Sequence, residues 1–129
     1  MGTKRKSKSP RCGLIPEKWG PCFWLHIHIV AAGFSPKEKS RKAAYMRYFK
    51  DIGHILPCFA CRKHYKQIIT QYIKRGSYKS KFSSRSVLQR FVFDIHNKIN
   101  IRLKKPVAQK TILKQYSKAV IEKNFRAEC

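Results

Sequence analysis

Chemistry in this chain of 129 residues is most readily placed at Cys58 and Cys61, two cysteines separated by two residues. A pair at this spacing can be a redox couple, half of a zinc site, or two buried apolar side chains. Pro57 stands directly before the pair, and Cys61, Tyr65, Ile68 and Tyr72 follow at i, i+4, i+7 and i+11. That periodicity predicts a helix opening at about Pro57 or Cys58, since proline suits a first helical turn. Both cysteines then fall in the first turn, on neighbouring positions of one face. A helix N-terminus carries roughly half a positive charge, and Arg62, Lys63 and His64 add cationic character. Both effects favour thiolate over thiol, the setting of a redox-active pair. The local residues leave all three readings open.

Length and composition bound what can surround the pair. A chain of this length makes one domain with a hydrophobic core, and 43% hydrophobic and 12% aromatic residues are those of a folded protein. Thirty Lys and Arg against six Asp and Glu give a formal net charge of +24. Such a charge fits a polyanionic partner or a solvated basic exterior. No apolar secretory segment with a small-residue cleavage site follows the basic start. The most apolar run, residues 24–34, is broken by His26 and His28. It is far shorter than the roughly 18–20 residues that span a bilayer. A soluble intracellular protein is expected. Five cysteines are an odd number, so at least one lacks an intrachain partner.

Residues 1–13 read as a basic arm expected to be disordered, too short to establish a nuclear address or a nucleic-acid contact. Trp19-Gly20-Pro21 is expected to open a first helix. Trp24, Ile27, His28 and Ala31 form one stripe of it, and Phe23, Val30 and Phe34 make it apolar on other sides too, as befits a central helix. His28 in that stripe reads first as a core histidine satisfied by a hydrogen bond. Gly33 and Phe34 close the helix. Ser35 as cap, Pro36 at N1 and Glu38 at N3 predict a capping box for a second helix. Its apolar face is Tyr45, Tyr48, Phe49 and Ile52, and Gly53 is expected to lead out of it.

The cysteine helix should run to about Arg75, with residues 76–84 as a loop. From near Ser86 a fourth helix carries Leu88, Phe91, Val92, Ile95 and Ile99 on one face. His96 and Asn100, with Asn97 close by, crowd next to that stripe, where polar groups are costly unless they bind something. After Pro106 a fifth helical pattern carries Ile112, Tyr116, Ala119 and Val120. With no strand-period alternation and no internal repeat, the chain reads as an all-α domain. A thioredoxin-like use of the cysteines expects strands. Cys58, Cys61 and His64 with a distant His96 fit no common structural zinc spacing.

Four motifs now stand in order: Trp-Gly-Pro-x-x-Trp-x-x-x-His over residues 19–28, Pro-Cys-x-x-Cys-x-x-His over 57–64, His-Asn-x-Ile-Asn over 96–100, and Leu-x-Lys-Pro over 103–106. Together they resemble the Erv/ALR family of flavin-linked sulfhydryl oxidases, over residues 19–116. The short form is similar to the minimal oxidases encoded by large cytoplasmic DNA viruses. The resemblance implies a four-helix bundle plus a short fifth helix, with FAD held non-covalently in the bundle mouth. Trp24 and His28 would pack on the flavin, and Gly20 would allow close approach. His96, Asn97 and Asn100 would satisfy polar groups of the cofactor, and His64 would line the same pocket. Lys105 would lie near the pyrophosphate and Tyr116 near the adenine. A substrate thiolate, or a shuttle cysteine, would attack the Cys58–Cys61 disulfide at Cys58, the more accessible sulfur. Cys61 would then pass electrons to the flavin, and O2 would regenerate it, leaving hydrogen peroxide. The partners implied are a thiol-containing protein or a partner oxidoreductase, O2 as acceptor, and a second copy in a homodimer.

The chain departs from the family pattern in places. Ile99 replaces the usual valine of the His-Asn motif, and Phe93 stands where the first cysteine of a second structural disulfide would be expected. A C-x-x-C or C-x-C shuttle is missing; Cys12, Cys22 and Cys129 remain, of which Cys22 could pair with Cys12 and Cys129 could form a mixed disulfide. The expected organisation is a basic arm over 1–13, an oxidase domain over 14–124 and a tail over 125–129, with no metal. Host cytoplasm or virion would be the setting for a viral source. The competing function is a basic nucleic-acid-binding module with zinc at Cys58, Cys61, His64 and His96. The charge supports it, but it leaves the Trp-Gly-Pro and His-Asn motifs unexplained.

Overall fold

The computed structural model describes residues 13–104. Helix α1 covers Pro16–Ala32, α2 Lys39–Ile55, α3 Phe59–Lys74 and α4 Arg85–Arg102, with a 3-10 turn at Lys79–Phe82 before α4. α1 packs along α4, α2 along α3, and α3 also meets α4. Among these residues there is no strand, and an isolated antiparallel bridge joins Gly13 to Cys58. The expected all-α bundle is what the chain forms. The fifth helix after Pro106, most of the basic arm and the tail lie outside the described residues. No helix among the described residues is long and apolar enough to cross a membrane.

The helix starts show which local signals prevailed. α3 opens as its proline predicts: Cys58 is the N-cap in an extended conformation, and its sulfur accepts from the Cys61 amide at 3.4 Å. Ser84 caps α4 by accepting from the Val87 amide at 3.2 Å. α1 begins at Pro16, three residues before the expected Trp19, so Pro21 lies inside the helix. Pro16 takes the initial turn in its place, and the Trp19 indole is anchored by donating to the Leu14 carbonyl at 3.0 Å. Pro21 cannot donate to the carbonyl of Glu17, which loosens this first turn from the helix behind it.

The capping box does not form. α2 opens at Lys39 after an extended Glu38, with a turn over residues 36–38. Phe34 is fully buried and draws this corner inward. Arg41 donates to the Gly33 carbonyl and Arg85 to the Phe34 carbonyl, at 3.3 and 3.2 Å, and these bonds hold the connection non-helical. Gly53 does not lead out of α2 either, because the helix runs on to Ile55. Its part is close packing: a Cβ there would lie 2.7 Å from Lys66 Cγ and 3.3 Å from the Tyr65 ring. Gly76, at φ +70°, ends the α3 region as expected.

The core is aromatic, and its centre comes from the segment expected to be a loop. Phe82, in the 3-10 turn, is fully buried and sits 5.2–6.3 Å, centre to centre, from the rings of Phe34, Phe49, Tyr78 and Phe91. Tyr65 donates its hydroxyl hydrogen to the Phe49 carbonyl, and Tyr78 donates to the Met46 carbonyl at 2.6 Å. These bonds satisfy hydroxyls that would be expensive to bury alone. Because Phe82 joins rings from α2, α4 and the α1–α2 connection, Phe82→Ala is expected to cost about 3–5 kcal/mol of stability. A urea unfolding midpoint within experimental error of the parent's would contradict that placement.

Candidate active site

The two cysteines sit where three segments converge. Arg62 donates to the Leu56 carbonyl at 2.5 Å, fixing the corner between α2 and α3 from the helix it precedes. On the other side the Leu14 amide donates to the Pro57 carbonyl at 2.6 Å. Cys61, in the first turn of α3, is half-buried and forms part of a cavity wall, whereas Cys58 is only 2% exposed. The expectation that Cys58 is the accessible sulfur therefore fails in this conformation, because Gly13 and Leu14 lie across it.

The cavity next to Cys61 has a volume of about 360 Å³ and opens at the end of the α1–α4 pair. Trp24 of α1 and His96 of α4 form a flat floor, stacked with centres 3.9 Å apart and planes 6° from parallel. His28 Nε2 lies 3.2 Å from His96 Nδ1, so one ring donates and the other accepts. Phe23 and Trp19 continue the aromatic wall, edge to face at 5.2 and 5.8 Å. His64, Asn100 and the Cys61 sulfur supply polar edges. Gly20 also lines the cavity, and a Cβ there would meet no protein atom within 4 Å, so it would project into the open space. Flat apolar faces with a few polar groups on the rim suit a planar heteroaromatic ligand.

Burial lowers the basicity of both wall histidines. His28 falls from the usual 6.5 to about 4. His64 is lowered by its own burial and by the charges of Arg102 and Lys63. Near neutral pH the His28 ring is therefore uncharged. A histidine depressed on folding destabilises as pH falls, because the unfolded chain binds its proton first. Stability is expected to drop by about 2 kcal/mol from pH 7.5 to pH 5 on account of His28, with His64 acting in the same direction. His28→Gln should flatten this dependence, and urea midpoints at the two pH values would read it; an unchanged slope would count against a neutral buried ring.

Of the residues singled out from sequence, Gly20, Trp24, His28, Cys61, His64, His96 and Asn100 share this one cavity. Asn97 is half-buried on α4 outside the lining, Cys58 lies behind the wall, and Lys105 and Tyr116 lie outside the described residues. Sequence reasoning missed the apolar lining by Pro16, Leu25, Leu56 and Leu103. Leu25 could have been found from its i+1 place beside Trp24, but Leu56 and Pro16 reach the cavity only through chain corners. Among the described residues no three His, Cys, Asp or Glu side chains are grouped to hold a metal ion. The four-ligand zinc arrangement at Cys58, Cys61, His64 and His96 therefore has no support.

The model of the Erv1 / Alr family matches residues 21–120. A protein of Invertebrate iridescent virus 3, provisionally named FAD-linked sulfhydryl oxidase, is 35% identical over 103 residues, which are 78% of this chain and 67% of that protein. The mitochondrial FAD-linked sulfhydryl oxidase ERV1 of Saccharomyces cerevisiae is 32% identical over 91 residues, 70% of this chain and 45% of that protein. The crystal structure of the yeast Erv1 core matches with a TM-score of 0.67 at 25% identity, covering 92% of this chain and 93% of that one. The matched span takes in the cysteine pair and most of the cavity lining, and the chain belongs to the Erv1 / Alr family.

Proposed function

We propose that this chain is an FAD-linked sulfhydryl oxidase that converts protein dithiols to disulfides and passes the electrons to O2, giving hydrogen peroxide. The observation that carries the reading is Cys61 in the wall of an aromatic cavity, with Cys58 one helical turn away and outside that wall. The residues that would hold FAD are Gly20, Trp24, His28, His64, His96 and Asn100, with Asn97, Lys105 and Tyr116 completing the set. The fit rests on the flat Trp24–His96 face, the room above Gly20 and the polar rim.

In the reaction a substrate thiolate attacks Cys58 Sγ, the Cys58–Cys61 bond breaks, and Cys61 leaves as a thiolate. The substrate's second thiolate then attacks the mixed disulfide, closing the substrate disulfide and releasing Cys58. Cys61 leaves readily because it lies in the first turn of α3, near the positive end of the helix dipole. FAD, when bound, supplies a two-electron acceptor for the reduced pair that O2 re-oxidises. Burial keeps His28 uncharged near neutral pH, and the aromatic wall keeps water from the cavity floor.

The proposed domain is residues 14–124, between a basic arm over 1–13 and a tail over 125–129. A homodimer belongs to the same reading: Leu25 and Ile29, one turn apart on α1, are both exposed and support pairing through that face. A polyanion contact is supported by a groove along α3 lined by Lys63, Lys66, Lys74 and Arg102. The viral relatives support a soluble intracellular setting, host cytoplasm or virion.

Purified protein is expected to be yellow and to consume oxygen with dithiothreitol. Cys61→Ser should keep the flavin absorbance and reduce oxygen uptake to background. A colourless protein, or uptake undiminished in that variant, would overturn the reading.

A further inference from the structure

The proposed reaction needs attack on Cys58, yet this sulfur is among the most enclosed atoms of the protein. Its cover is thin. Gly13 pairs with Cys58 in a single antiparallel bridge, and the Leu14 amide donates to the Pro57 carbonyl at 2.6 Å. Gly13, Leu14 and Ile15 are themselves exposed, Leu14 by 63%. The Leu14 carbonyl also accepts from the Trp19 indole at 3.0 Å; because one backbone hydrogen bond shifts an equilibrium by about 2- to 10-fold, loss of the Leu14–Pro57 bond alone is enough to loosen the cover. Its closeness depends on glycine: Gly13 has φ +113°, and a Cβ there would lie 2.4 Å from the Pro57 carbonyl oxygen and 3.1 Å from Cys58 Cα.

What surrounds the cover is apolar at the centre and cationic further out. Ile55 is 66% exposed and Phe59 is exposed beside it, one on each side of the Pro57–Cys58 step. Lys63 and Lys66 follow on α3, both exposed, and lead into the basic groove that Lys74 and Arg102 also line. The cover itself shows that the Pro57 carbonyl is open to a backbone donor from another segment.

We propose that residues 13–14 are a displaceable cover over Cys58, and that the substrate is an extended apolar segment with acidic flanks, carrying a dithiol, which pairs with Pro57 and Cys58 in the cover's place. The geometry stands by itself, while the chemistry rests on the oxidase reading above. Adding a strand to an exposed backbone edge is a common way to recognise peptides: main-chain bonds give affinity and flanking side chains give selection. A substrate strand does not copy Gly13, whose backbone leaves no room for a Cβ; in ordinary extended form and slightly further out from Pro57, it places a cysteine directly across from Cys58. Directly opposed residues have Cβ atoms roughly 4.5–5.5 Å apart, close to the roughly 3.5–4.5 Å that a disulfide spans. The exchange is then short: the substrate thiolate bonds to Cys58 Sγ as the Cys58–Cys61 bond breaks, and the substrate's second thiolate displaces Cys58.

Two full-length variants test this, Gly13→Val, which crowds Pro57, and Leu14→Pro, which removes the donating amide. With the pair held reduced, alkylation of Cys58, located by peptide mapping, is expected to be about 2- to 10-fold faster in both than in the parent. Rates unchanged in both would overturn the cover, and this readout needs neither flavin nor turnover. In the parent, a Cys-x-x-Cys peptide flanked by Leu, Ile and Glu should be oxidised faster than its Ser-for-apolar and Lys-for-Glu counterparts. Equal rates for all three would overturn the substrate class. Failure to oxidise any dithiol, dithiothreitol included, would sink the oxidase reading and the peptide part of the proposal with it, while faster alkylation would still establish the cover.

Discussion

α1 lies along α4 so that the Trp24 ring rests on His96 and His28 meets the edge of the same imidazole. Every other feature of the site depends on that contact. The partners are 68 positions apart in the chain, so neither helix holds any part of the floor alone. Burial holds the His28 ring of this hydrogen bond neutral. The site and the fold are thus one cooperative unit. Loosening the α1–α4 seam removes the floor, the polar edge at Asn100 and the enclosure of the Cys61 sulfur together.

A second constraint is charge. With thirty cationic side chains and six acidic ones, most cations have no carboxylate within reach, and the chain satisfies them in other ways. Arg41, Arg62 and Arg85 donate to backbone carbonyls at the corners between helices. Lys81 and Lys98 lie over the Tyr72 ring, Arg90 over Phe93, and Arg41 over Tyr45. Ring faces attract cations without themselves carrying a charge. The Arg90–Asp94 pair at 3.3 Å is exposed and contributes little. Arginine therefore acts here as a clamp on loop geometry, and Arg62 in particular ties the basic composition to the position of the cysteines.

How much of this was legible follows from where the information lies. The cysteine helix was readable because Pro57 and an apolar repeat act within one segment. The gathering of Trp24, His28, His64, His96 and Asn100 was readable only through the resemblance of four ordered motifs to the Erv/ALR family, since taken alone His28 reads as a core histidine. The start of α2 was not, because the Ser35 cap lost to arginines reaching the Gly33 and Phe34 carbonyls from distant positions. The 3-10 turn was hidden by its Ser and Lys neighbours, although Tyr78 and Phe82, four apart, were a trace of it. The cover over Cys58 was invisible, since a single bridge between residues 13 and 58 leaves no periodicity to read.

Gly53 has a bearing on how this domain tolerates change. With no side chain of its own, it lets the backbone of α2 ride against Lys66 and Tyr65. Tyr65 is tied in turn to the Phe49 carbonyl, so the two helices are gauged against each other at two heights. A methyl group at position 53 would act as a shim, because Lys66 Cγ stands close to its own backbone and the Tyr65 ring is buried. The wedge would press α2 and α3 apart, and α3 is the helix that carries Cys61 behind its N-cap Cys58. Position 53 thus sets the alignment of the sulfurs with the cavity from a distance, as a spacer sets the gap in an instrument that it never touches.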